Sequence, residues 1–441
     1  MSDYIHAFRH DEDVRNICVI GAGYVGLPLA AVLASRGHSV TLAERDENIA
    51  SLIREGESPI YEHGLEELLA VALSSERLHI TESAAQAVIN AEFVFLCVGT
   101  PESLDGSADI SYITRAAAEI GPHLAEGAIV INKSTAPIGT IKLIERIIGR
   151  PDITVVCNPE FLREGTAVAD SLNPDRIVVG ADNQEAAARV VALFNNTTAP
   201  TVVTDTTTAE LIKYASNAFL ATKLTFINTM AGLCESVGAD VVDLGLGLGY
   251  DSRIGFEFMR PGPGWGGSCL PKDTSALVTM GESFGCDLEL IRAAISGNFA
   301  QMNRIVDKIR IAAGGDLRGR IIGILGLTFK ANTNDRRNSP AIWITQRLAE
   351  DGATVHAYDP TVAKDADGID DLLHLTLFDD PYSAVARSHV VALLTEWQEF
   401  RWLDFTRIHD DVATATIVDA RNTLDPASLH RLGFSYSGVG R

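Results

Sequence analysis

NICVIGAGYVGLPLAAVLASRGHSVTLAE, residues 16–44, reads as strand, glycine turn, helix, strand. The apolar run NICVI is followed at once by G-x-G-x-x-G at Gly21, Gly23 and Gly26, then by the helical pattern LPLAAVLASRG and the second strand HSVTLAE, ending in Glu44. In that order the glycines allow a tight turn and close approach of a pyrophosphate. The helix N-terminus adds partial positive charge, and an acid at the end of the second strand can bind ribose hydroxyls. Glu44 repels a 2′-phosphate and so favours NAD over NADP, although Arg45 follows it directly. The segment is the first βαβ unit of a doubly wound sheet.

Working outward, strand-like runs follow at Phe93–Val98, Ala128–Asn132 and Ile153–Cys157, interleaved with helical patterns such as Tyr112–Leu124. This alternation predicts a mainly parallel sheet covered on both faces. A second unit of the same kind appears late, as RIIGILGLTFK, a helical stretch Ala341–Glu350, and ATVHAYD. LASRGHSVTLAE (33–44) and LAEDGATVHAYD (348–359) match in the spacing of Leu, Ala, Gly, Val and a terminal acid, an internal repeat whose second copy carries the insertion TFKANTNDRRNSP. Further strands are expected at VVALLTEW (390–397) and TIVDARN (416–422). Between the copies helical periodicity takes over. The expected fold is α/β: two Rossmann-like doubly wound domains, 1–204 and 311–441, joined by a helical region, 205–310. The long first helix of that region has apolar positions that neither domain alone covers, and is read as a connector and homodimer surface.

The chain has 441 residues, of which 46% are hydrophobic and 21% charged, enough for several separate cores. The polar, mixed-charge N-terminus does not resemble a secretory signal, and no apolar run approaches a membrane span. A cytoplasmic protein without a membrane partner is expected. The six cysteines stand at 18, 97, 157, 234, 269 and 286, with no C-x-x-C pair, so reduced thiols and no metal site are expected. A net charge of -22 argues against nucleic acid as a partner, whereas an anionic small molecule needs local cations or helix N-termini.

Three further stretches carry chemistry. In NPEFLREG (158–165), Glu160 and Glu164 share a face if the stretch is helical, and burial would raise their pKa values toward a range useful in acid–base work. Taken alone, such a pair is more often a solvated helix face. Lys213 and Asn217 repeat the four-residue spacing, where a cation and an amide can polarise an oxygen. In RPGPGWGGSCLPKD (260–273), the glycines and prolines bring backbone close to a ligand, and Ser268 with Pro271 marks a helix start. Cys269 then faces a helix N-terminus, which favours the thiolate, with Lys272 and Asp273 one turn on.

These motifs, together with PIYEHGL (59–65), GTP (99–101), KSTAPIGT (133–140), GLTFKANTNDRR (326–337) and LLTEW (393–397), resemble the UDP-glucose/GDP-mannose dehydrogenase family from about Asn16 to Asn422. The resemblance implies an N-terminal NAD site that includes Tyr24, Val25, Thr100, Thr135, Glu164, Lys272 and Arg337 beside the glycines and Glu44. It implies a nucleophile at Cys269, a polar set at Lys213, Asn217 and Asp273, and Glu160, Glu164 and Thr135 at the reaction centre. Phe161, Leu162, Phe258, Gly262 and Gly266 join the substrate side, with the cations Arg253, Arg260, Lys330 and Arg421; Arg253 is expected to cross a dimer interface. Glu44 stands where the family usually has Asp, and NDRRNSP departs from the usual run, leaving the roles of Arg336 and Arg337 open. The implied reaction is a four-electron, NAD-dependent oxidation of a UDP-sugar, UDP-glucose first, with GDP-mannose and UDP-N-acetylhexosamines as alternatives. A two-electron hydroxyacid dehydrogenase would not need the cysteine, and a non-catalytic nucleotide-binding protein would not be expected to keep Cys269, Lys213 and Asp273 together.

Overall fold

The structure is a computed structural model that describes residues 14–195, 197–362 and 370–441; most of the polar N-terminal stretch lies outside them. The chain divides into two compact units, 1–216 and 217–441. The first is built on eight strands: β1 Asn16–Ile20, β2 Ser39–Ala43, β3 Leu78–Thr81, β4 Phe93–Leu96, β5 Ile129–Asn132, β6 Thr154–Cys157, β7 Ile177–Gly180 and β8 Thr201–Thr204. Their order is β3-β2-β1-β4-β5-β6-β7-β8. Strands β1 to β6 run parallel, and β7 meets β6 antiparallel. The order reverses between β1 and β4, which opens a crevice at their carboxyl ends.

Helices cover both faces, so the central strands read as continuous apolar runs instead of alternating ones; β4 and β5 are buried at every position. Helix α1, Gly26–Ser35, is buried along almost its whole length, and Leu27, Leu29 and Leu33 join the core under the sheet. Its entry depends on backbone that only glycine supplies. Gly21 has φ +99°, and a Cβ on Gly26 would sit 1.9 Å from the Gly21 carbonyl oxygen. Nothing lies within 4 Å of the corresponding point above Gly23.

The second unit has six parallel strands: β9 Ile321–Leu325, β10 Thr354–Tyr358, β11 Thr376–Leu377, β12 Val390–Leu393, β13 Thr416–Asp419 and β14 Ser435–Ser437. The order is β11-β10-β9-β12-β13-β14, the same reversal as in the first sheet. In chain order, α2 Thr206–Val237, α3 Val241–Gly249, α4 Leu270–Ser283 and α5 Glu289–Ala312 come after β8 and before β9, and α6, Pro340–Glu350, follows β9. Two Rossmann-like sheets with a helical region between them is the architecture expected from the sequence. The division between the two units falls inside α2, after Ser216.

The repeat carries one asymmetry. Glu44, at the end of β2, is half-exposed and accepts from Ala22 N–H at 2.9 Å and Asp46 N–H at 3.0 Å. Its counterpart Asp359, at the end of β10, is buried and takes Leu327 N–H at 2.7 Å, Thr328 N–H at 3.1 Å and the Trp397 indole N–H at 3.1 Å. Among the described residues no helix is long and apolar enough to cross a membrane.

The glycine turn yields a direct test. Gly26→Ala must push the Gly21 peptide out of place and is expected to lower the unfolding free energy by about 1–3 kcal/mol. Gly23→Ala, with open space above it, is expected to stay within about 0.5 kcal/mol. Urea denaturation of both variants without added ligand checks the contrast.

Candidate functional site

In the first unit the relevant side chains sit on loops leaving the carboxyl ends of neighbouring strands. Gly21 to Gly26 follow β1, buried Thr100 follows β4, half-buried Thr135 follows β5, and Asn158 to Leu162 follow β6. The edge beside the reversal therefore gathers residues that are remote in sequence. The glycine turn fits a dinucleotide: its backbone is approachable over Gly23, helix α1 opens at Gly26, and the Glu44 carboxylate flanks the turn through Ala22 N–H. The Arg45 guanidinium lies 5.5 Å from the centre of the Tyr112 ring.

Glu160 is buried, and Lys213 Nζ donates to its Oε1 at 2.7 Å while Leu162 N–H donates to its Oε2 at 2.6 Å. Burial by itself would push this carboxyl up. The Lys213 ammonium, its hydrogen bond, the Leu162 N–H and the Lys133 charge outweigh burial and hold it below the ordinary carboxylate value. This corrects the expectation of a raised carboxyl, since four-residue spacing within each motif does not bring Lys213 against Glu160. The stretch 158–163 is also not helical, and the next helix starts only at Ala167. Glu160 and half-buried Glu164 thus do not share a helical face. A chain turn, not a helix, aims Glu160.

Residues without an assigned role support this half. Lys133 is buried and donates to Asn158 Oδ1 at 3.0 Å, and burial depresses its ammonium. Glu62, from PIYEHGL, accepts from Gly165 N–H at 2.8 Å and Ala167 N–H at 2.7 Å, so one motif pins the loop of another. Glu210 on α2 takes the N–H groups of Gly139 and Ile141 at 2.8 and 2.9 Å, fixing the loop that carries Thr135. The motifs themselves were legible, but nothing in a linear sequence pairs position 62 with 165.

In the second unit Cys269 is the residue immediately before α4, with Pro271 in the first turn, as expected for a thiol at a helix N-terminus. Cys18, Cys97, Cys157 and Cys234 are buried, and burial pushes the Cys97 thiol up to about 12. Cys269 is half-buried and Cys286 exposed, so these are the two accessible thiols. Asp273 is buried, accepting from Asn217 Nδ2 at 2.6 Å and from Lys272 Nζ at 2.5 Å. Asn217 lies one helical turn after Lys213 on α2.

The predicted substrate cations separate into two groups. Arg421 bridges the carboxyl edge at the reversal between β9 and β12, donating to Leu394 O at 3.0 Å and Phe329 O at 2.6 Å and pairing with Glu396 at 2.9 Å. Gly262 faces it, with the Arg421 guanidinium 3.1 Å from where a Cβ would sit. Lys330, next after Phe329, lies 5.5 Å from that ring. Arg253 is instead 86% exposed and folded onto Asp251, and Arg260 is exposed. Arg337 makes a two-point contact with buried Asp335 at 2.9 and 2.8 Å, and Arg336 faces Asp371 at 3.5 Å. Phe258 holds φ +61°, a strained value for a bulky residue. Gly266 has no room for a side chain: a Cβ would meet Asn338 O at 2.1 Å.

Comparison with known proteins fits this arrangement. Residues 15–198, 207–300 and 323–426 match, in turn, the NAD binding, central and UDP binding domains of the UDP-glucose/GDP-mannose dehydrogenase family. A UDP-glucose 6-dehydrogenase of Rhizobium meliloti is 44% identical over 436 residues, covering 96% of this chain and 99% of the relative. One from Pseudomonas aeruginosa is 41% identical, covering 96% and 97%. The solved structure of a UDP-glucose dehydrogenase from the archaeon Pyrobaculum islandicum superimposes with a TM-score of 0.89 at 35% identity, covering 98% of this chain and 99% of that one. With its glycine turn, buried Lys213–Glu160 pair and cysteine at a helix N-terminus, this chain belongs to the UDP-glucose/GDP-mannose dehydrogenase family.

Proposed function

We propose that this chain is a cytoplasmic, homodimeric UDP-glucose 6-dehydrogenase that takes the C6 alcohol of UDP-glucose to the carboxylate with two NAD per sugar. The observation that carries the reading is Cys269, an accessible thiol at a helix N-terminus one turn from the Asn217–Asp273–Lys272 cluster. A two-electron alcohol dehydrogenase has no use for it. Relatives named for UDP-glucose, at 44% and 41% identity over nearly full length, support this sugar nucleotide over the GDP-mannose and N-acetylhexosamine alternatives. The segment GGSCLPKD, with Ser268 before the cysteine, supports it too. The domain division proposed is 1–204 for NAD, 205–310 for the helical region and 311–441 for the UDP-sugar.

Gly21, Gly23, Tyr24, Val25, Gly26, Glu44 and Thr100, with Thr135, Glu164, Lys272 and Arg337 contributing, would hold NAD, which would supply a hydride acceptor for each of the two successive oxidations. The chain's own residues do the rest. Asp273, with a water and Lys213, takes the proton from the C6 hydroxyl as the alcohol becomes an aldehyde. The Cys269 thiolate adds to the aldehyde carbon to give a thiohemiacetal, so the aldehyde is not released. Lys213 and Asn217 stabilise its oxyanion. Loss of the second pair of electrons leaves a thioester, which water, oriented or activated by Glu160, cleaves to the acid and the free thiol. Because Glu160 is held ionised by Lys213, it is an acceptor suited to orienting that water. Phe161, Leu162, Phe258, Arg260, Gly262, Gly266, Lys330 and Arg421 are assigned to the UDP-sugar, with Arg253 reaching it from a second subunit.

The dimer reading is supported by Phe219, Phe226 and Leu233 on α2, which recur every seven residues and are 65%, 48% and 53% exposed. Apolar residues two helical turns apart form one stripe, and such a stripe is covered by a second helix.

Three outcomes are expected. The first concerns the covalent route. Wild-type protein produces two NADH per UDP-glucose consumed, Cys269→Ser keeps fold and NAD binding but loses steady turnover by ~10³-fold or more, and Glu160→Gln accumulates a sugar adduct on Cys269 visible by intact-protein mass spectrometry. Near-normal acid production by Cys269→Ser would make the cysteine structural. The second concerns the cofactor: the Glu44 carboxylate should give NAD a kcat/KM about 100-fold above that of NADP, and equal values would assign recognition to Arg45. The third is physical, since Phe226→Glu places a charge in the apolar stripe and should shift sedimentation from dimer to monomer. A wild-type monomer at micromolar concentration would remove the dimer from this reading.

A further inference from the structure

The loop 260–267 has no sheet to hold it, yet much of it is buried. Pro261, Gly262, Pro263, Gly264, Gly266 and Gly267 leave it almost no side chains with which to anchor itself. Glycine-rich backbone is costly to order, and buried N–H and C=O groups must find partners. Here the partners are side-chain amides from two helices of the same unit. Gly262 N–H donates to Asn228 Oδ1 at 2.8 Å, and its C=O accepts from Gln301 Nε2 at 2.7 Å. Trp265 N–H donates to Asn298 Oδ1 at 2.8 Å, and its C=O accepts from Asn298 Nδ2, also at 2.8 Å. Asn298 therefore meets the Trp265 residue as a second strand would. The Trp265 indole N–H donates to Thr225 Oγ1 at 2.9 Å.

All three amides are buried among the apolar residues of α2 and α5, where a helix facing its core would ordinarily carry Leu or Ile. Both polar groups of Gly262 and of Trp265 are thereby fixed. Cys269 lies four residues beyond Trp265, and on its other side its carbonyl accepts from Asp273 N–H at 2.9 Å within α4. The thiol thus sits between a helix start and a loop whose position is set from outside. Gly264 faces the same amide, since a Cβ there would lie 2.9 Å from Asn298 Oδ1.

We propose that Asn228, Asn298 and Gln301 are positioning residues for Cys269: their side-chain amides clamp the backbone at Gly262 and Trp265 and so fix where the thiol meets the substrate carbon. The proposal rests on the reading of Cys269 as nucleophile. Attack on a carbonyl tolerates little misplacement, and a shift of about 1 Å is enough to cost ~100-fold in rate.

The test uses the full chain with Asn298→Ala, which removes both bonds to Trp265, and Gln301→Met, which keeps length and removes one bond. Iodoacetamide labelling is read at Cys269 against Cys286 in the same molecule, the exposed thiol serving as internal reference. Loosening the loop should raise the Cys269:Cys286 labelling ratio by about threefold or more in Asn298→Ala and less in Gln301→Met. With UDP-glucose and NAD, kcat should fall by about tenfold or more while KM for NAD stays within about twofold. NADH formed per sugar should drop from two toward one, with the escaping aldehyde trapped by semicarbazide. An unchanged labelling ratio with kcat within about twofold of wild type overturns the proposal. So does a loss of kcat that only tracks loss of NAD affinity and helical circular dichroism; if Asn298→Ala does not fold, Gln301→Met decides alone. Absence of UDP-glucose oxidation by the wild-type protein would instead sink the functional reading, and the labelling ratio would still decide whether the clamp holds.

Discussion

Strands that run in one direction deliver their outgoing loops to one edge, and that constraint organises both sheets. In the first unit β1 to β6 share a direction, and the glycine turn, Thr100, Thr135 and the Asn158–Leu162 loop all leave from the same side. In the second, Phe329, Leu394 and Arg421 meet at the corresponding edge. Residues about a hundred positions apart become neighbours without any of the connecting helices having to be special. The reversal of strand order then opens a crevice at that edge, because the helices on either side depart in opposite directions.

What the edge gathers must also be electrically tolerable. Lys213 and Glu160 are each too buried to be stable as isolated ions, and their 2.7 Å contact makes each the other's counterion. Such pairs add little net stability against an apolar alternative, but loss of one partner strands the other. That asymmetry fixes the α2 side chain to the β6 loop. It also decides the protonation of Glu160, since proximity of the ammonium wins over burial.

The fold was legible because its signals are local and repeated. Gly21, Gly23 and Gly26 between an apolar strand and an apolar helix announce the first βαβ unit, and the match of 33–44 with 348–359 announces the second. Strands β3, β11 and β14 carry no such signal, because LHIT, TL and SYS lack the continuous apolar run that marks the likewise short FVFL of β4. Cys269 was legible from its glycine approach and Pro271. The turn that aims Glu160 was not, since its geometry comes from Leu162 N–H and Lys213. Asn228, Asn298 and Gln301 were equally silent: a polar residue in an amphipathic helix reads as surface until the opposing backbone is seen. Arg253 was named as a cation for the substrate, and within one chain it rests on Asp251.

The duplicated scaffold has a consequence for ligand traffic. In the first copy the acid at the end of the second strand keeps a half-exposed face, whereas Asp359 is closed in by the amides of Leu327 and Thr328 and by the Trp397 indole. A ribose diol arriving at the second copy finds its natural acceptor already saturated, and displacing the indole would leave a buried donor and a buried carboxylate short of partners. One indole N–H thus acts as an address label on an otherwise shared design. The two copies therefore do not offer a ribose diol the same acceptor: the first presents a half-exposed carboxylate and the second a filled one, so whatever nucleotide the second copy takes must be gripped by groups other than the acid that ends its second strand.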